Sequence, residues 1–292
     1  MLIILIAGIF DRLFKRKKEP EEDVGVIELE QMPEYGAEGG YAYQTEEPPA
    51  YFNEPSELTM KSQIFYDFNK MEYRLKLQNI SIDMLGDLTI KLKSQKNPVA
   101  TPIDNEKVIE MLEPGKSVIL KFRLKPKYKT GKSSIFGTME YFDFKSKERK
   151  IVRLPPSQID FELDEISMKR VNDDQWRVTC GGLKSYELET DVLDIQPDKL
   201  FNMFKRVLEN EGLFLLPPIE NVNLYRGIAK AFGVTKSGVI FTVEAQVIGD
   251  QKSAKVLFRI WSNEAKDAMA LAYRTLDTIE AIFQIKKFIV ET

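Results

Sequence analysis

The chain has 292 residues, of which 43% are hydrophobic and 30% are charged, and its formal net charge is -3 at pH 7. A chain of this length and composition can bury one or two full cores. It contains a single cysteine, Cys180, and no histidine, which excludes an intrachain disulfide, a Cys/His zinc set, a Ser-His-Asp triad and a Cys-His pair. We therefore expect no enzyme, and neither a catalytic residue nor a cofactor or metal site is assigned.

The charge is strongly segregated along the chain. Residues 1–18 carry a net charge of +4, residues 19–60 carry -12, residues 61–153 carry +9 and residues 154–292 carry -4. The hydrophobic pattern changes near the same positions. These changes therefore mark candidate domain boundaries.

The segment 1–18 begins with an apolar run and ends in a basic cluster. Asp11 and Arg12 interrupt the run well before the length of about 20 residues that a spanning helix needs. Apolar residues at helical spacing on one face are typical of a helix in a membrane interface. We expect this segment to lie in the interface or to insert, with the body of the chain cytoplasmic in either case. The candidate membrane residues are Leu5, Ile9, Phe10, Leu13, Phe14, Lys15, Arg16, Lys17 and Lys18.

Residues 19–60 are rich in acids, proline and glycine and have no periodic apolar pattern. This composition predicts an acidic disordered linker. Within it, Pro48, Pro49, Ala50 and Tyr51 match the PPxY form that proline-reading domains bind as an extended helix. A true ligand and a chance match both stay open, because the motif is so short.

Residues 61–157 show a two-residue period, in which Met71, Tyr73, Leu75 and Leu77 alternate with polar residues. The same alternation recurs around residues 88–92 and 118–124, as in strands with one buried face. Turn signals separate these strands at Leu85-Gly86-Asp87, Glu113-Pro114-Gly115 and Thr130-Gly131-Lys132. Short strands at this spacing predict an immunoglobulin-like β-sandwich.

The solvent face of this predicted sandwich is basic, because the polar alternates near residue 122 are Lys and Arg. We favour an anionic membrane surface as its partner, and a solvated face without a partner is the alternative. Nucleic acid is disfavoured because stacking aromatics are not interleaved with the solvent-facing charges. The candidate anionic-surface residues are Lys121, Arg123, Lys125, Lys127, Lys129 and Lys132.

Residues 158–292 follow a different pattern, with Leu200, Phe201, Phe204, Val207 and Leu208 at helical spacing. Three strands are predicted near 225–233, 237–247 and 254–261. The polar residues at 262–264 are expected to cap a closing helix. A helix, an antiparallel sheet and a helix form an α+β unit, so the predicted fold class is α+β overall.

Two further motifs carry no chemistry. Gly131, Lys132 and Ser133 resemble the end of a phosphate loop, but Pro126 occupies the position of the required first glycine. Asp173 and Asp174 are neighbours that we expect on a tight turn, where their carboxylates point apart into water.

The order of elements and three short stretches resemble the appendage, or ear, region of the large subunits of clathrin adaptors and coatomer. Residues 139–142 with 150–155 look like the last sandwich strands and the Leu-Pro crossover. Residues 201–205, Phe-Asn-Met-Phe-Lys, look like the aromatic-x-x-Trp-Lys start of the first platform helix. Residues 256–263 look like the final strand that leads into the closing helix. The likeness covers about residues 62–285 and implies an immunoglobulin-like sandwich followed by an appendage-platform-like α+β domain.

In that family an aromatic-centred pocket on the platform binds short linear peptides of trafficking accessory proteins. The resemblance therefore implies that Phe201, Phe204 and Lys205 are peptide-binding candidates. Phe204 replaces the family's Trp and lacks its indole N–H donor, and plain core packing of Phe204 is the alternative. The expected function is that of a non-enzymatic, membrane-tethered adaptor or scaffold for protein or peptide partners. The alternative is a nucleic-acid-binding protein that uses the basic sandwich face.

Overall fold

The computed structural model describes residues 57–127, 129–193, 195–221, 225–250, 253–283 and 289–290. The strands are β1 Leu58–Asp67, β2 Lys70–Asn79, β3 Leu85–Ser94, β4 Ala100–Pro102, β5 Glu106–Leu112, β6 Ser117–Pro126, β7 Lys132–Asp143, β8 Glu148–Asp160, β9 Ile166–Met168, β10 Lys184–Leu193, β11 Phe214–Leu215, β12 Ile219–Asn221, β13 Tyr225–Thr235, β14 Ile240–Gly249, β15 Ser253–Ser262 and β16 Ile289–Val290. The helices are α1 Asp173–Gly181, α2 Pro197–Asn210 and α3 Ala265–Phe283. The predicted α+β class is confirmed at this level.

The first half of the described chain forms two four-stranded antiparallel sheets. Sheet A has the order β1-β2-β6-β4, and sheet B has the order β5-β3-β7-β8. Their apolar side chains contribute to one continuous core, in which Tyr73 and Leu75 of β2 and Ile90 of β3 have no exposed surface. The two-residue period in the sequence thus correctly gave the buried side of β2 and β3.

One predicted turn is wrong. Gly86 and Asp87 lie inside β3, where the register with β7 shifts between Gly86 and Thr89. The backbone of Asp87 has φ +50°, so the polar dipeptide is accommodated as a bulge in a continuing strand. The turns at Gly115 and Gly131 are confirmed, and both glycines have positive φ.

The second half is built on sheet C, whose order is β11-β13-β14-β15-β10-β16, with β9 and β12 also pairing with β13. Helices α2 and α3 pack on one side of this sheet. The predicted helical residues, Leu200, Phe201, Phe204, Val207 and Leu208, are all buried on α2. Burial of this apolar stripe against the sheet explains why the segment is helical.

The sequence did not predict α1 or β10. Asp173 and Asp174 occupy the first turn of α1 rather than a tight turn, and Asn172 and Gln175 form a capping box at its start. Strand β10 pairs along its whole length with β15 and so extends sheet C beyond the predicted three strands. The capping residues explain where α1 begins, since they satisfy its free amide groups.

All described residues belong to one compact unit, Ala50–Thr292. An aromatic chain joins the two halves within it. The ring centroids of Tyr66 on β1 and Phe161 are 5.9 Å apart, and those of Phe161 and Tyr273 on α3 are 5.0 Å apart. Both contacts are edge-to-face, the arrangement that aromatic quadrupoles favour.

Candidate functional site

The candidate site is the outer face of sheet A. On β6, Phe122 and Leu124 point into the core and are buried, so Lys121, Arg123 and Lys125 point outward and are exposed. We call the outward cations of sheet A the basic face: Lys61, Arg74, Lys76, Lys121, Arg123 and Lys125.

Strand register brings these cations together from three parts of the sequence. Arg74 on β2 is directly opposite Lys121 on β6, and Lys76 is directly opposite Lys61 on β1. Side chains directly opposite each other in an antiparallel pair lie about 5 Å apart at Cβ, and like charges there are destabilising. The register therefore places like charges opposite each other at two positions of this face.

One carboxylate lies within this face. Glu72 is only 4% exposed, and its oxygens pair with Lys70 Nζ at 3.1 Å and with Arg74 Nη2 at 3.0 Å. Burial would raise the pKa of Glu72, but the hydrogen bonds from Lys70 and Arg74 lower it below its usual value. Arg74 also stacks over Phe65, with 3.4 Å from its Cζ to the ring centroid. Glu72 is thus satisfied by Lys70 and Arg74.

Among the described residues, the remaining cations of the basic face have no such partner. Within the part of the chain that the structure describes, Lys61, Lys76, Lys121, Arg123 and Lys125 make no ion pair. Four of these cations are exposed and Lys76 is half-buried, and such a cluster on one face of a sheet can contact several anionic groups at once. The basic face therefore offers a binding surface for anionic groups.

The structure changes the membership of the predicted basic set. Lys127 and Lys129 follow β6 in an exposed loop, next to the face but outside the sheet. Lys132 begins β7 in sheet B and pairs with Glu162 at 2.8 Å and with Asp160 at 3.5 Å. Lys132 therefore lies outside the basic face, and its assignment as an anionic-surface residue stays a prediction that its two ion pairs disfavour.

Sequence reasoning missed Lys61 and did not assign Arg74 or Lys76 to the site. The signal for Arg74 and Lys76 was present, because both are polar alternates on the strand that contains Tyr73 and Leu75. What was missing was the register that places β2 between β1 and β6. A lysine on β1 becomes part of the face only through that pairing.

The proposed peptide-binding residues lie elsewhere. Phe201 and Phe204 have no exposed surface, and the ring centroid of Phe204 is 5.5 Å from that of Phe258 on β15. A fully buried ring cannot line a surface pocket, so the structure supports core packing and not a pocket wall for these two residues. Lys205 Nζ lies 3.2 Å from Glu220 Oε1 and 4.9 Å from the Phe201 ring centroid.

Asp173 is held in ion pairs rather than paired with a second carboxylate. Its oxygens lie 2.6 Å from Lys230 Nζ and 2.7 Å from Arg177 Nη2. On the same face of sheet C, Lys230, Glu244, Arg259 and Glu187 are opposite one another in neighbouring strands. This ladder of alternating charge crosses four strands, and each charge has an opposite neighbour. Its role is therefore structural.

The described residues support neither a reactive thiol nor a metal site. Burial raises the pKa of the Cys180 thiol to about 12, so the thiolate is scarce at neutral pH. Among the described residues, no cluster of three or more Cys, Asp and Glu side chains could hold a metal ion.

Within the same residues, no helix combines the length and the apolarity needed to cross a membrane.

The predicted membrane segment at 1–18, residues 19–56 of the predicted linker at 19–60 and the PPxY match at 48–51 lie outside the described residues. They remain predictions from the sequence. The linker prediction is wrong at its end, because residues 58–60 begin β1.

Comparison with known proteins gives no family. No family model matches the chain, and no curated protein matches it. Among solved structures, a FixG-related protein from Vibrio parahaemolyticus matches at 14% identity and a TM-score of 0.23, over 35% of this chain and 96% of its own. The YadV chaperone matches at 10% identity and a TM-score of 0.25, over 71% of this chain and 85% of its own. A Porphyromonas gingivalis W83 protein of unknown function matches at 9% identity and a TM-score of 0.24, over 70% of this chain and 83% of its own. Likeness at these scores carries no argument about this chain.

Proposed function

We propose that this chain is a non-enzymatic, membrane-tethered adaptor whose basic face contacts anionic lipid headgroups. The observation that carries the proposal is a cluster of five cations without an ion pair among the described residues, four of them exposed and Lys76 half-buried. Each Lys or Arg close to an anionic membrane surface contributes about 1 kcal/mol of attraction. The amino-terminal segment, rich in Leu, Ile, Lys and Arg, would add the tether.

The appendage-like architecture is part of the same proposal. Strand orders β1-β2-β6-β4 and β5-β3-β7-β8 support an immunoglobulin-like sandwich, because consecutive strands divide between two sheets with a shared core. Helices α2 and α3 on sheet C support the platform. The adaptor's protein partner would bind elsewhere than at Phe201 and Phe204, since both are buried.

Liposome flotation of the full chain tests the lipid contact. Lys15, Arg16, Lys17 and Lys18 are first replaced by serine, so that the terminal cluster no longer dominates binding. In that background, Lys121→Glu with Arg123→Glu should weaken binding to phosphatidylserine vesicles at least tenfold, because two attractive charges become repulsive. Binding to neutral vesicles should not change.

The matched control is Lys184→Glu with Lys199→Glu, two exposed lysines outside sheet A. It changes the net charge equally, so it separates the basic face from overall charge. If both pairs of substitutions weaken binding to the same degree, the proposed lipid contact is wrong. Preferential retention on DNA, lost with Lys121 and Arg123, would instead favour the nucleic-acid alternative.

A further inference from the structure

Among the described residues, sheet A is incomplete along one edge. Strand β4 pairs only with residues 124–126 of β6, through the pairs Ala100–Pro126, Thr101–Lys125 and Pro102–Leu124. Strand β2 covers the other side of β6 from Ser117 to Leu124. Among the described residues, no strand pairs with residues 117–122 on the side where β4 would continue.

The hydrogen bonds fix which backbone groups face this open edge. Ile103 N donates to Arg123 O at 2.9 Å, and Lys127 N donates to Val99 O at 2.8 Å. Odd-numbered residues of β6 therefore direct their N–H and C=O groups toward the β4 side. Because these directions alternate along a strand, Ile119 and Lys121 present theirs to the open edge.

The core is also less covered at this edge. Phe122 is fully buried and Leu124 is 4% exposed where β4 begins to cover β6. Val118 and Leu120 point inward on the same strand but are only partly buried, as is Ile109 on β5. A further strand beside residues 117–122 would cover these side chains while pairing the free backbone groups.

The structure assigns this edge as a strand-addition site, and we propose that it binds an extended peptide of alternating apolar and acidic residues. Residues of the peptide opposite Val118 and Leu120 would point toward the core, which selects apolar side chains. Residues opposite Ile119 and Lys121 would point outward. There Lys121 and Arg123 select acids, since neither has an ion-pair partner among the described residues.

This inference rests on the adaptor role proposed above, because it names the chemistry of the partner. The probe is a fluorescent peptide of alternating valine and glutamate, mixed with the full chain in the absence of lipid. Binding should be at least tenfold tighter than for the valine–lysine counterpart. Equal or weaker binding of the glutamate peptide would overturn the proposal.

Backbone pairing is tested without changing the protein. A peptide residue opposite Ile119 or Lys121 directs its N–H toward β6. The glutamates of the peptide occupy these positions. N-methylation of the glutamate amides should therefore weaken binding at least tenfold. N-methylation of the valine amides, which point away from β6, should not. Equal effects of the two modifications would show that charge alone attracts the peptide and would refute strand addition.

A protein variant gives an independent check. Ile119→Pro removes the N–H at the open edge but no bond to β2, and edge strands accept proline. It should abolish peptide binding, whereas Ile119→Ala, which also shortens the side chain but keeps the amide, should retain it. Peptide addition should slow hydrogen exchange of the Ile119 and Lys121 amides.

Liposome flotation of Ile119→Pro separates the two proposals. This test uses the background in which Lys15, Arg16, Lys17 and Lys18 are serine, so that the terminal cluster does not dominate binding. In that background, retained lipid binding with lost peptide binding supports both proposals. Lipid binding without any binding of the glutamate peptide by the unmodified chain refutes the strand-addition site alone. Peptide binding without lipid binding refutes the lipid contact alone.

Discussion

Replacement of Phe204 by alanine should destabilise the protein without removing a binding surface. The ring lies on α2 with no exposed surface and packs against Phe258 of β15. Truncation of a buried phenylalanine removes its transfer free energy and leaves a cavity, which together cost about 3–5 kcal/mol. We expect a value near the middle of that range. For a domain of this size the melting temperature should fall by about 10 °C.

Urea unfolding followed by tryptophan fluorescence measures this change. Trp176 and Trp261 both lie in the half of the chain that contains Phe204, and their ring centroids are 5.5 Å apart. The control is Phe136→Ala, since Phe136 on β7 is 40% exposed, and it should cost less than about 1 kcal/mol.

One result would contradict the burial of Phe204 in the core. If Phe204→Ala loses less than about 1 kcal/mol of unfolding free energy and also loses a bound peptide, the ring lines a pocket in solution. A large stability loss, with peptide binding intact in the folded fraction, is the expected outcome.

Three other outcomes follow from local contacts. Gly227→Ala should cost about 1–3 kcal/mol in thermal unfolding, because an added Cβ would lie 2.6 Å from the ring of Phe201. Asp143→Asn should lower the free energy of unfolding by about 1 kcal/mol at pH 7, a value reduced because the partner Lys150 is partly exposed. The hydrogen bond from Lys150 is the main cause that lowers the pKa of Asp143 from 3.8 to about 2. The stabilisation is therefore complete above about pH 4 and is lost as the pH falls toward 2. In unfolding curves from pH 5 to 2, the variant should lose less stability than the unmodified chain. Cys180 should react with iodoacetamide at pH 8 much more slowly in the folded protein than in urea, because burial raises its pKa to about 12; equal rates would contradict the burial of this thiol.

Much of the local structure could be predicted because the apolar period is strong. Met71, Tyr73, Leu75 and Leu77 are at most 2% exposed on β2, as the alternation predicted. The apolar stripe on α2 and the long apolar segment of α3 likewise predicted these two helices. In these elements the local pattern and the tertiary burial select the same conformation.

The elements that were missed have weak patterns of their own. Helix α1 buries only Trp176, whose indole N–H donates to the carbonyl of Ala231 at 3.1 Å. One tryptophan against a sheet gives no helical period in the sequence. Likewise, Gly86 and Asp87 have the composition of a turn, but the strands on both sides of β3 hold them in a bulge.

For the basic face, the sequence alone determined that Lys121, Arg123 and Lys125 share one side of a strand, because side chains alternate with a period of two. Only the tertiary structure decided which other charges join them. Register brings Lys61 and Lys76 onto the face, whereas Lys132 belongs to another sheet and is neutralised there by Asp160 and Glu162. Only the tertiary structure likewise decided which side of β6 has an open edge. A strand's pairing partners lie far away in the chain, so neither a missing neighbour nor an unpaired charge can be read from local periodicity.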